Sequence, residues 1–403
     1  MKHPRPKLWT KDFIIVSSVN FFLTFIFYLL MVTIAVFAVD HYGATTSQAG
    51  LVTGIFIIGT LIGRLYIGRA IDAIGRKKTL YTGLIFFTLT TLLYFVNIGI
   101  TFLLINRFIH GISLGMASTA TGTIVAQIIP AMRKGEGIGY YSMSATLATA
   151  VGPFIGLFMM QQVTFQTIFL FCLALGVFAL FTAFFLYVPP IEASSNTTPE
   201  TKTFKISNFV EPKAVPIAFI TLAIAFGYSG VLSFINFYAM EIDLVSAASF
   251  FFLVYSAAVL ISRPFTGRLM DIKGANYVMY PAFAIFAAGM FVLSTASSSF
   301  TLLMAGALIG FGFGNMQSCT QAVAVKLTPT RRMGLATSTF FIFLDAGLGF
   351  GPYLLGFIIP VTGYSTLYAL MSVFIILTSG LYYILHGKKE SAGKTRFDAS
   401  AAG

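Results

Sequence analysis

The sequence predicts an all-α membrane protein with twelve transmembrane helices in two pseudo-symmetric six-helix bundles. Three observations predict it. Of 403 residues, 57% are hydrophobic and 9% charged, against about 25% charged in a soluble domain. Apolar runs long enough to cross a hydrocarbon core of about 30 Å recur along almost the whole chain. A set of residues then repeats at one fixed offset, beginning with Arg64 and Arg263, 199 positions apart (263 − 64).

Taken in order, the apolar runs lie near 13–39, 46–67, 79–98, 101–127, 137–160, 165–188, 214–239, 245–267, 276–296, 301–323, 334–359 and 364–386. They are too long and too evenly apolar for barrel strands, so helices are expected. Lys2, Arg5, Lys7 and Lys11 give the first run a basic front. No small-residue cleavage pattern follows it, so a retained helix is expected there.

Lys and Arg fall on the N-terminus, on the loops after spans two, four, six, eight and ten, and on the C-terminus. The opposite loops carry Asp40, His41, Glu241 and Asp243 instead. This asymmetry places both termini in the cytoplasm of a multi-pass plasma-membrane protein. The net charge of +12 reflects that sidedness and calls for no nucleic acid. Cys172 and Cys319 sit inside spans, where thiols behave as small apolar groups. No disulfide, metal site or cofactor is expected.

The stretch from Pro189 to Pro216 is rich in Ser, Thr, Pro, Glu and Lys and reads as a flexible linker. Expected boundaries are a first bundle over 1–188, a linker over 189–213, a second bundle over 214–387 and a disordered tail over 388–403. The 199 offset relates the bundles without a gap. It takes Gly68 to Gly267, Arg69 to Arg268, Asp72 to Asp271, Gly75 to Gly274, Gly111 to Gly310, Gly115 to Gly314, Pro130 to Pro329, Arg133 to Arg332 and Gly152 to Gly351. Six spans per half is an even number, so the repeats are parallel. Small-xxx-small pairs such as Gly59 and Gly63, or Gly111 and Gly115, allow close helix contact.

These residues resemble the major facilitator superfamily, and within it the twelve-span drug:proton antiporters, over essentially the whole chain. Gly68, Asp72, Gly75, Arg76 and Lys77 match the family's loop motif G-x-x-x-D-(R/K)-x-G-(R/K)-(R/K), with Ala73 departing from it. Arg107 and Gly111 resemble the fourth-span R-x-x-Q-G motif, with His110 where Gln is usual. Gly139, Gly152, Pro153 and Gly156 resemble the fifth-span antiporter motif, with Ala148 and Leu157 replacing two of its glycines.

The resemblance implies alternating access, two halves rocking about a central site. Such a machine needs latches that release at modest cost. A carboxylate can meet the partial positive charge at a helix start. Asp72 is therefore expected near Gly334 at the start of span eleven, and Asp271 near Gly135 at the start of span five. Arg69, Arg76 and Lys77 would tune the latch and hold its loop at anionic lipid, and Arg64, Arg263 and Arg268 belong to the same gating motif.

Charges deep in a span are costly and usually functional. Arg107, His110 and Asp345 are the candidates for proton coupling or for a static polar lock. Asp345 lies about 16 Å into its span. By analogy with the family, spans one, four, seven and ten line the substrate cavity. Asn20, Tyr28, Thr119, Thr123, Tyr228, Asn236, Tyr238, Asn315 and Gln317 are the lining candidates.

No P-loop, metal cluster or nucleophile constellation marks an enzyme. The leading expectation is a monomeric, proton-coupled exporter of a small amphipathic molecule: a drug, a metabolite or a metallophore. Proton-coupled uptake of a nutrient or metal-chelate is the alternative. A non-transporting receptor fits less well, because it has no need of paired latches.

Overall fold

The computed structural model describes residues 6–44, 46–189, 209–388 and 390. Every regular element among them is helical. Lipid offers no hydrogen bonds to the backbone, and a helix satisfies its own groups within one segment. Eleven helices among the described residues are long and apolar enough to cross a membrane.

Before the linker run α1 (Lys11–Tyr42), α2 (Thr46–Ile74), α3 (Arg76–Leu92), α4 (Ile100–Ile128), α5 (Lys134–Gln162) and α6 (Phe165–Phe184). After it run α7 (Val215–Glu241), α8 (Val245–Lys273), α9 (Asn276–Ser294), α10 (Ser299–Ile309), α11 (Asn315–Lys326) and α12 (Met333–Tyr382).

Three elements differ from the sequence expectation. The third run forms only 17 residues of α-helix before a 3₁₀ turn at Leu93–Phe95, a rise of about 26 Å. The tenth run is divided by a π-helical turn, Gly310–Gly314, into α10 and α11. The last two runs form α12, with a single non-helical residue, Gly363 (φ 74, ψ 169), inside it.

Local chemistry sets the ends. The Thr10 hydroxyl accepts from the Phe13 N–H at 3.2 Å and caps α1. Ser298 and Thr301 form a capping box at the start of α10. Gly75 (φ 99) and Gly274 (φ 91) stop α2 and α8 in a backbone region that side chains rarely adopt. Their N–H groups donate to Ile71 and Met270, each at 2.9 Å. The fixed offset thus reproduces a turn as well as a motif.

The described residues divide into two compact units. One is drawn from Met1–Pro130, Leu147–Lys213 and Thr328–Phe341. Within it α2 and α4 touch backbone to backbone: a Cβ on Gly111 would strike the Phe56 carbonyl, and one on Gly115 the Thr60 carbonyl. The other unit is drawn from Ala131–Thr146, Ala214–Leu327 and Ile342–Gly403. There a Cβ on Gly310 would strike the Tyr255 carbonyl, and one on Gly314 would strike Val259. Each contact in the second unit is the first unit's moved by 199 positions.

The expected boundary at 188/214 runs along the chain, whereas the packing units exchange the opening turns of α5 and α12. Of the expected linker, 190–208 lie outside the described residues, as do 389 and 391–403 of the expected disordered tail. At the linker's end Pro212 and Lys213 are exposed, whereas Glu211 is 2% exposed. At the tail, Glu390 accepts from the N–H groups of Ala275 (2.7 Å) and Asn276 (3.0 Å) and so caps the start of α9.

Candidate functional site: two carboxylates on helix starts

The first turn of any helix presents backbone N–H groups without intrahelical partners. Two aspartates meet such groups. Asp72, in the last turn of α2, accepts from the backbone N–H of Gly334 at the start of α12. Its Oδ1 also accepts from Arg76 Nε at 2.9 Å and Nη2 at 2.8 Å. The Arg76 side chain is 1% exposed. It donates further to Gln127 Oε1 at 2.8 Å and to the Thr330 carbonyl at 2.6 Å, so one guanidinium joins α2, α4 and the turn before α12.

Asp271, in the last turn of α8, uses both oxygens. Oδ1 accepts from the Gly135 N–H and Oδ2 from the Glu136 N–H, each at 2.8 Å. Lys326, at the end of α11, completes the site with an ion pair at 2.8 Å. Gly267 lies so close to the Glu136 backbone that a Cβ there would stand 2.8 Å from the Glu136 Cα. A Cβ on Gly68 would likewise strike Ser338.

The flanking arginines differ in surroundings. The carbonyl of Arg64 accepts from Ser338 Oγ at 2.6 Å, and its guanidinium lies 4.3 Å from the Phe341 ring centroid. Arg263 is buried and donates to the carbonyls of Gly139 (3.3 Å) and Gly314 (3.0 Å). Arg69 is exposed and lies over the Phe209 ring at 5.0 Å. Lys77 lies over Tyr81 at 5.7 Å, and Arg268 is exposed.

A second polar cluster lies two turns into α4. Arg107 and His110 are both fully buried. Arg107 donates to the Val52 carbonyl at 3.1 Å and to the Tyr94 hydroxyl at 3.2 Å, with its guanidinium over Phe56 at 4.3 Å. Tyr94 is paired with His110 Nδ1 at 2.8 Å, and Thr91 faces Nε2 at 3.4 Å. Thr91 donates its proton to the Phe87 carbonyl at 2.8 Å and can only accept from Nε2, which assigns the His110 N–H to Nε2 and leaves Nδ1 to accept from Tyr94. Arg107 Nη2 has no hydrogen-bond partner among the described residues.

Asp345 is half-buried on α12. Gly152 and Gly156 let α5 approach α1, where a Cβ would stand 3.0 Å from the Tyr28 Cβ and 2.9 Å from Val32, respectively. Pro153 lies between them inside α5.

Of the cavity candidates, Thr119 is fully buried with no hydroxyl partner among the described residues. Asn20 faces Thr121 at 3.5 Å. Tyr228 stacks on Phe313 (4.1 Å) and Tyr255 (5.4 Å). Asn315 donates to Ser262 Oγ and to the Phe311 carbonyl and accepts from Thr266, filling the π-helical turn. Thr123 and Tyr238 donate their hydroxyls to the carbonyls of Thr119 (2.7 Å) and Leu293 (2.9 Å). Gln317 is half-buried; the Asn236 side chain lies outside the described residues.

Sequence reasoning missed four participants: Lys326, Gln127, Glu136 and Glu211. Gln127 and Lys326 stand 199 apart (326 − 127), a signal that searching only for identical pairs passes over. No metal-binding group of His, Cys, Asp and Glu occurs among the described residues.

Known proteins are similar throughout. A family model described as Major Facilitator Superfamily matches residues 16–343 and again 245–402. An uncharacterized transporter of that type from Methanocaldococcus jannaschii is 26% identical over 350 residues, covering 85% of this chain and 90% of that protein. The quinolone resistance protein NorA of Staphylococcus aureus is 26% identical over 225 residues, covering 56% of this chain and 58% of that protein. Among solved structures, the human organic anion transporter MFSD10 superposes with a TM-score of 0.76 at 14% identity, covering 94% of this chain and all of that one. The transporter FucP, in its outward conformation, gives 0.73 at 15% identity, covering 92% of this chain and 98% of that one.

Proposed function

The chain belongs to the major facilitator superfamily of membrane transporters, and from that premise we propose a proton-coupled exporter of a small amphipathic molecule that works by alternating access. Counting α3 as a further span gives twelve, six in each of the bundles 1–188 and 214–387. On those boundaries, each aspartate grips a helix start belonging to the other bundle. Each grip involves residues at the loops that follow even-numbered spans, the loops that carry the basic residues. In a cycle of alternating access, grips of this kind are held in one state and released in the other.

The observation that carries this reading is the pair of carboxylate contacts, Asp72 on α12 and Asp271 on α5. Such contacts contribute about 0.3–2 kcal/mol each, enough to bias a population and weak enough to release. Export, rather than uptake, is supported by the Gly152-Pro153 element packed on α1 and by the likeness to a quinolone resistance protein. Asp345 is the proposed proton carrier, with Arg107 and His110 as a buried polar centre. The protein acts as a monomer in the plasma membrane, with both termini cytoplasmic.

Everted vesicles with an imposed pH gradient test this reading. Quinolones and cationic dyes should be accumulated, with proton release that Asp345→Asn abolishes. Accumulation that ignores the gradient would remove proton coupling from the proposal. The unpartnered Nη2 of Arg107 favours an anionic substrate and sustains a second reading, uptake of a nutrient or metal-chelate by symport. Inward transport in right-side-out cells, collapsing with the proton gradient, would decide for it.

A further inference from the structure

The fixed offset exposes one acid that has moved. Arg133 maps onto Arg332, but Glu136 maps onto Leu335. In the first copy, Arg133 forks both oxygens of Glu136, Nε and Nη2 each at 2.8 Å. That pair sits on the very turn whose N–H groups Asp271 holds. In the second copy Leu335 is buried and offers no charge, yet Arg332 is not left alone. Its Nε pairs at 2.8 Å with Glu211, from the end of the linker.

Glu211 is built into this position. Its side chain is 3% exposed, and a buried carboxylate is costly unless paired and hydrogen-bonded. Its Oε1 accepts from the Lys213 N–H at 3.3 Å, and its own N–H donates to Thr339 Oγ1 at 2.9 Å. Thr339 in turn donates to the Leu335 carbonyl at 2.7 Å. Two residues earlier, Phe209 lies under the Arg69 guanidinium at 5.0 Å. The short helical turn Thr330–Arg332 and the start of α12 are therefore held from two directions. Arg76 and Asp72 grip Thr330 and Gly334, and Glu211 grips Arg332 and Thr339.

We infer that Glu211 is a positioning residue of the inner latch, the linker-borne replacement for the acid that Leu335 lacks; this rests on the reading of Asp72 as a latch. The linker is then a working part of the gate. Releasing the α12 start from Asp72 loosens the surface on which Glu211 docks, and undocking Glu211 breaks its ion pair with Arg332. Coupling of this kind acts equally in both directions.

The test uses the full chain in lipid nanodiscs with Val210→Cys as a reporter, read by its rate of maleimide labelling. The native Cys172 and Cys319 are both buried and free, so the parent chain supplies a low background. Glu211→Gln should raise the labelling rate about fivefold or more, and Glu211→Asp should return it toward the parent value. Asp72→Asn, which touches no linker residue, should raise it as well, and the two effects should combine non-additively.

An unchanged rate in Glu211→Gln overturns the docking. A rise in Glu211→Gln but not in Asp72→Asn overturns the link to the latch and leaves a merely local contact. Should Glu211→Gln fail to fold, Arg332→Gln, on a side chain 42% exposed, must give the same rise, and a folded Arg332→Gln without it refutes the inference. Labelling reads no transport. A failed export assay would therefore sink the proposed function while leaving this result standing.

Discussion

The contacts of Asp72 and Asp271 are one device built twice, and they differ in where the cation comes from. At Asp72 the cation is Arg76, on the helix that follows, and Gln127 on α4 supports it. At Asp271 the position matching Arg76 is Ala275, and the position matching Gln127 has become Lys326. The first cation is 1% exposed and serves three acceptors; the second is 34% exposed and serves one carboxylate. Their energetics should differ accordingly. A buried, forked guanidinium is costly to remove, whereas an exposed ammonium pair contributes little.

The largest effect that can break this comparison is Arg76→Ala. It strands a mostly buried carboxylate, an amide and a carbonyl, and should cost about 3 kcal/mol or more of stability. Thermal unfolding in detergent measures it. Adding Gln127→Lys places a cation where the second copy has one and should recover part of the loss. No recovery would mean that the two positions are not interchangeable.

Asp271→Asn comes next. The amide keeps a single acceptor oxygen, so one charge-assisted backbone bond becomes a weaker neutral one and the other is lost, at about 1–3 kcal/mol. Labelling of a cysteine introduced at the basic end of the spans should rise as that end opens. The smallest effect is expected of Lys326→Gln, below about 1 kcal/mol and fading further in high salt. A loss as large as that of Arg76→Ala would erase the distinction between the two sites.

How much of this was legible depended on whether a property belongs to one residue or to its partner. The repeat pointed to Asp72, Asp271 and the helix starts near Gly334 and Gly135, because a carboxylate facing free N–H groups follows from type and position. It pointed equally to Gly75 and Gly274, whose positive φ is a demand on the residue itself. It could not point to Glu211, since one Glu in a polar linker looks like any other until the fold brings Arg332 within 2.8 Å. Nor could it point to the partner of Tyr238, whose hydroxyl reaches the Leu293 carbonyl from a different helix. The π-helical turn was also invisible, because a Gly-rich stretch suits an α-helix bend equally well.

That turn, Gly310–Gly314, has a consequence for reading the duplication itself. The numbering offset is the same on either side of it, from Gly111 and Gly310 to Pro130 and Pro329, so no residue has been gained. A wider turn nevertheless takes up about one more residue than an α-turn, and each residue of a helix advances the azimuth by about 100°. The contacts past the turn are kept all the same: a Cβ on Gly314 would strike Val259 as one on Gly115 would strike Thr60, and Gln127 and Lys326 each reach the aspartate site of their own copy. The duplication therefore tolerates a local change of helix type without losing its register.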